Sequence, residues 1–180
     1  MALDQEKFGQ IVQKIQENQA TEENKLSIKN ENLTEEDIRE LAGGLATNNI
    51  LKRFAMTNTV LPEGGMQTIF NALINNTTLI HLALGKIALS QADLRALAEL
   101  VRSHPTLTIL AFNQNGFGEL QIQPLAIGWH DDEAENEDEE TCYPRLAELL
   151  DSSTLQSLCV WQDDLTDAEV ALFADKIQAN

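Results

Sequence analysis

The chain has 180 residues, and 43% of them are hydrophobic, enough for one domain with a packed core and short for two. Acids outnumber bases 29 to 12, a formal net charge of -17, and so acidic a chain repels phosphate backbones and argues against nucleic acid as a partner. The N-terminus has neither a basic n-region nor an apolar h-region, no apolar run approaches a membrane span, and two cysteines are too few for a disulfide scaffold; the expectation is a soluble, cytoplasmic protein with no membrane partner.

Residues 4–19 come first. Phe8, Ile11, Val12 and Ile15 make one helical stripe with polar residues elsewhere. The spacing predicts a capping helix over residues 1–22; the same stripe could also serve a partner.

From residue 23 the chain repeats. Leu51 in LKRFAM, Leu79 in LIHLAL and Leu107 in LTILAF are each 28 residues apart. A further 28 back from Leu51 is Glu23, which opens a unit containing Leu26 and Ile28. Leu155 opens a fifth unit after 48 residues, one repeat plus 20. With the first residue of each unit as position 1, position 4 holds Leu26, Phe54, Leu82, Leu110 and Leu158. Position 6 holds Ile28, Met56, Leu84, Phe112 and Val160, and position 11 holds Leu33, Leu61, Leu89, Phe117 and Leu165. Positions 4 and 6 point to one face of a short strand.

A helix is predicted after each strand. Thr34, Ser90 and Thr166 each stand at position 12, with Asp37, Asp93 and Glu169 three residues on, the pattern of a capping box. Positions 16, 19 and 23 then form the buried stripe: Ile38, Leu41 and Leu45; Met66, Ile69 and Leu73; Leu94, Leu97 and Val101; Val170, Phe173 and Ile177. One strand-helix unit cannot bury this stripe alone, whereas stacked units can.

These units resemble the leucine-rich repeat family, in particular its ribonuclease-inhibitor-like branch, whose pattern is LxxLxLxxNxL followed by a helix. At position 9, where that family carries an asparagine ladder, only Asn115 matches; Glu31, Thr59, Ile87 and Asp163 do not. The resemblance implies an α/β solenoid over residues 1–180, a curved right-handed array with a parallel sheet on the concave side and helices on the convex side. It also implies an interaction scaffold. Few cysteines, Asn- and Gln-rich turns and an acidic run give a second likeness, to the short leucine-rich repeat effectors that intracellular bacterial pathogens deliver into host cells. That likeness implies delivery without a cleavable signal and a host protein as partner.

The extra 20 residues fall near 118–141. Leu120, Ile122, Leu125, Ile127 and Trp129 suit an extended piece. DDEAENEDEE follows, with eight acids in ten residues, and predicts a solvated loop. A helix is expected to resume near Tyr143, with Leu146 and Leu149 facing in.

No catalytic, cofactor-binding or metal-binding constellation stands out. His104 precedes Pro105 and is expected to be solvated, and His130 adjoins the acids. His81 and Cys159 fall on one face but with a unit between them, and Cys142 reads as a small core residue. An EF-hand starting at Asp131 would need Gly and Glu where Asn136 and Cys142 stand. Gly43-Gly44 and Gly64-Gly65 have no phosphate-loop context.

The expected function is protein binding on the concave face, by positions 2, 3, 5, 7 and 8 of each unit. None of those 25 positions is acidic, whereas Lys25, Lys29, Lys52, Arg53 and Lys86 are basic and His81 lies among them. Trp161 at position 7 of the fifth unit is an aromatic of the kind found at hot spots. The competing reading, from another class, is a regulatory or chaperone-like protein that binds basic proteins through its acidic loop.

Overall fold

The computed structural model describes residues 5–18, 24–115 and 154–161. The described chain runs α1 (Gln5–Gln16), β1 (Lys25–Lys29), α2 (Glu35–Thr47), β2 (Arg53–Thr57), α3 (Gly65–Ile74), β3 (His81–Gly85), α4 (Gln91–Ser103), β4 (Ile109–Asn113) and β5 (Ser157–Trp161). The five strands form one parallel sheet in the order β1-β2-β3-β4-β5. Its register is the sequence repeat without a slip: Leu26 lies opposite Phe54, Phe54 opposite Leu82, Leu82 opposite Leu110 and Leu110 opposite Leu158.

Parallel strands need a crossover between them, and α2, α3 and α4 supply those from β1 to β4. Each packs on its neighbour, α1 on α2, α2 on α3 and α3 on α4. The position-4 and position-6 residues of β1 to β4 are buried and join the helical stripes in one core. Each fully buried Leu, Ile or Phe there is worth about 1.5–3 kcal/mol of transfer free energy, so the stack rather than any single unit holds the fold.

Helix starts follow the local chemistry. Thr34 and Ser90 both form full capping boxes, each hydroxyl accepting from the backbone N–H three residues on (3.2 Å) while Asp37 or Asp93 accepts from the cap's own N–H (2.8 Å). The second unit has Pro62 at that position, and α3 begins two residues later in its unit than α2 and α4 do, behind Gly64, whose φ of 71° is left-handed. At 10 residues it is shorter than α2 and α4, at 13 each. The predicted N-terminal cap is α1, with Phe8, Val12 and Ile15 buried and Ile11 packed at the core's edge. Gly44 lets it approach α2: a Cβ there would lie 3.2 Å from Ile15 Cγ2.

The expected helices after Tyr143 and Thr166, the extended piece at 120–129 and the acidic run at 131–140 lie outside the described residues.

Candidate protein-binding face

Alternation divides each strand between two faces. The residues at positions 4 and 6 go to the helices. Those at positions 3, 5 and 7 share the other face, which no described helix covers.

Register arranges this open face in three rows across the sheet. The first row is Lys25, Arg53, His81, Ile109 and Ser157. The middle row is Ser27, Ala55, Ala83, Ala111 and Cys159, all small. The third is Lys29, Thr57, Gly85, Asn113 and Trp161. Lys25, Lys29 and Arg53 are exposed and His81 is half-buried.

Two residues flank the rows. Lys52 leads into β2, half-buried; its N–H donates to the Asn24 carbonyl and its own carbonyl accepts from Ile80 and His81. Lys86 leaves β3 exposed, with a left-handed φ of 51°, and its N–H donates to the Asn113 carbonyl. The same turn recurs at Asn30, Asn58 and Gln114. Asn58 Nδ2 donates to Asn30 Oδ1 at 2.8 Å, so these turns form a polar border along the C-terminal ends of β1 and β2.

Of the seven residues picked from the sequence, Lys25, Arg53 and His81 are thus direct cross-strand neighbours, and Lys29, Lys52 and Lys86 border them. The backbone of Trp161 pairs opposite Asn113, two strands beyond β3; its side chain lies outside the described residues. Among the face positions with described side chains there is no Asp or Glu. Glu35, Glu36, Glu40 and Glu99 of the described helices sit exposed on the other layer. Charge is therefore segregated: the chain is acidic, and its open sheet face is basic at the β1–β3 end.

The electrostatics of His81 record this. Burial lowers its pKa most, and the positive charges of Arg53 and then Lys25 lower it further. The ring stays neutral at pH 7, and its Nε2 is enclosed without a hydrogen-bond partner. Cys159 is a free thiol whose Sγ lies 3.4 Å from Ser157 Oγ, and β4 separates it from His81. Among the described residues no group of three or more His, Cys, Asp or Glu side chains could hold a metal ion, and no described helix is long and apolar enough to cross a membrane.

One expectation is corrected. His104 is not solvated: it is 1% exposed and caps the C-terminus of α4. Its Nδ1 accepts from the N–H groups of Thr106 (3.3 Å) and Leu107 (3.1 Å). Asn48 Oδ1 does the same for Ile50 and Leu51, and Asn76 Oδ1 for Thr78 and Leu79, at the same place in their units. The amide nitrogens reach back to preceding carbonyls, Asn48 to Ile15 and Asn76 to Leu45 and Asn48. The polar ladder between units therefore runs through Asn48 and Asn76 at position 26 and through Thr78 and Thr106 at position 28, whose hydroxyls donate to the Leu51 and Leu79 carbonyls. Asn115 adds one link at position 9, donating to the Leu84 carbonyl and accepting from the Ile87 N–H. The clue was present in the recurring NNIL, NTTL and HPTL before each strand.

No protein-family profile matches the chain, and no curated protein's sequence matches it. Similar solved structures exist. The actin-binding site 2 domain of leiomodin-1 aligns with 96% of this chain and 90% of its own, at TM-score 0.65 and 19% identity. The C-terminal domain of a Caenorhabditis elegans tropomodulin aligns with 95% of this chain and 91% of its own, at TM-score 0.60 and 13% identity. What the chain shares with both is the leucine-rich-repeat type of α/β fold built on a parallel sheet.

Proposed function

We propose that this protein is a binding module, not an enzyme, and that it holds a protein partner on the open face of its sheet. One observation carries the reading: register gathers Lys25, Arg53 and His81 side by side on a face without described acids, in a chain of net charge -17. Directly opposed like charges on adjacent strands, here Lys25 and Arg53, destabilise a sheet. A partner that needs them accounts for the arrangement. The leiomodin-1 neighbour, named for an actin-binding site, is a domain of this fold that binds a protein, which supports the class of partner.

Photo-crosslinking tests it. A photoreactive residue at Ala83, in the middle row, should capture a partner from lysate, whereas one at Arg39, exposed on α2, should not. Capture from the helix side alone would reject the face. Capture that vanishes on deleting residues 131–140 and is indifferent to position 83 would favour the acidic-run reading instead.

Action on a host protein, after delivery from a bacterial pathogen, extends the proposal. Its support is the compositional likeness of the cysteine-poor, Asn- and Gln-rich, acidic chain to such effectors. A translocation reporter fused to the chain checks it, and no signal inside host cells would remove it.

A further inference from the structure

Two charged residues and a neutral histidine form an evenly stepped row. Lys25, Arg53 and His81 occupy the same register position on β1, β2 and β3, so they advance across the sheet by about 4.8 Å per strand. Lys29 stands on the same face four residues further along β1, about 13 Å away at 3.3 Å per residue. Between the two outer rows the floor is Ser27, Ala55, Ala83 and Ala111, so nothing large fills the space. Toward β4 the first row turns apolar at Ile109, beside Ala111.

The geometry points to one occupant for this face: an α-helix of a partner protein, acidic in its first turns and apolar in those that follow, laid across the strands with its acidic part over β1–β3. This rests on the face being the binding surface. Two magnitudes select a helix over an extended segment. A helix about 10–12 Å across fits between rows about 13 Å apart. The step also matches. Side chains one turn apart on a helix advance about 5.4 Å, whereas same-side residues on an extended chain advance about 6.6 Å. From Lys25 to Arg53, the two charged residues of the row, the sheet moves about 4.8 Å, a helix turn about 5.4 Å and an extended chain about 6.6 Å. A helix therefore keeps two successive carboxylates within about 1 Å of phase with Lys25 and Arg53, and an extended chain drifts by about 2 Å, half the reach of an ion pair. Charge selects the acids: Lys25, Lys29 and Arg53 are cationic, and no described side chain in the three rows is a carboxylate. The floor's small side chains admit a close approach, and Ile109 and Ala111 meet the apolar turns.

The probe is a stapled, alanine-based helix of about four turns, with Glu at one-turn intervals in its first half and Leu in its second. It is compared with the same peptide carrying Lys for Glu, and with one broken by a central Pro. Amide shifts of the full-length protein locate binding and fluorescence anisotropy measures it. The Glu helix should bind saturably and shift the amides of Lys25, Arg53, Ala55 and Ala83. Lys25→Glu with Arg53→Glu, both at exposed positions, should weaken it at least ~10-fold while the amide spectrum away from the face stays that of the native fold. Equal binding of the Lys peptide would overturn the acidic occupant, and equal binding of the broken peptide would overturn the helical one. In both cases shifts on the face would leave the face itself standing. Shifts confined to α2–α4 would overturn the face as well. If the probe changes nothing but deletion of residues 131–140 shifts the face amides, the occupant is this chain's own acidic run, and the partner helix is overturned.

Discussion

Replacing His104 with asparagine should stabilise the protein. Asn48 and Asn76 close their helices with both ends of an amide: the oxygen accepts two backbone N–H groups, and the nitrogen donates to a carbonyl of an earlier unit at 2.7–2.9 Å. His104 reproduces only the accepting half. Because Nδ1 accepts, the ring proton sits on Nε2, and that atom is enclosed with no partner. A buried donor left unmatched costs about 1–3 kcal/mol. An asparagine would return that donor to the carbonyl of Leu73 or Asn76, the equivalents of Leu45 and Asn48 one unit on. The smaller side chain leaves a gap costing about 0.5–1 kcal/mol, so the net gain at pH 7 is about 1 kcal/mol. The pH dependence sharpens the test. Burial lowers the His104 pKa, and protonation would turn Nδ1 from acceptor into donor. Below about pH 6.5 the unfolded chain therefore binds more protons than the folded one, and native stability falls as pH drops from there toward the folded-state value. The variant lacks this loss, so its advantage should widen from pH 7 to pH 5.5; His81, also lowered, leaves a residual slope in both proteins. Urea unfolding at the two pH values measures it, with His104→Ala as the control. That control strips the acceptor from Thr106 and Leu107 and should cost about 1–3 kcal/mol. An asparagine variant less stable than the native chain at both pH values, or one with a parallel pH slope, would refute the ladder argument.

Leu82→Ala, at a fully buried site on β3, should cost about 2–5 kcal/mol in urea unfolding through lost transfer energy and a cavity; a loss under about half a kcal/mol would contradict the register. Lys86→Asn should raise stability by about 0.5–1 kcal/mol, because asparagine tolerates the left-handed turn that lysine occupies at φ 51° and would extend the border of Asn30 and Asn58. A lower melting temperature would mean that the turn is not strained there. Gly44→Val should cost about 1–3 kcal/mol by pushing on Ile15 and Gln16, and amide exchange should speed up in α1 first. Unchanged exchange would show that α1 does not depend on that close approach.

The sheet, its strand order and its pairing were legible because burial makes the same demand at every unit. Leu26, Phe54, Leu82 and Leu110 must all be apolar, so a spacing of 28 residues is printed in the chain and becomes the register directly. The capping boxes at Thr34 and Ser90 were equally visible, being local chemistry closed within four residues. The basic ladder followed once the register was known, since alternation alone sends Lys25, Arg53 and His81 to the face opposite the core. Tertiary structure decided the rest. The ladder that ties the units together lies mainly at positions 26 and 28 rather than at position 9: Asn48, Asn76, Thr78 and Thr106 donate to carbonyls about one repeat earlier, and His104 shares with the asparagines only the accepting role. A buried polar position asks only for an acceptor and a donor in the right places, and several residue types can answer. What fixes the answer is which carbonyl lies within reach from a unit about 30 residues away, and that distance exists only once the units are stacked.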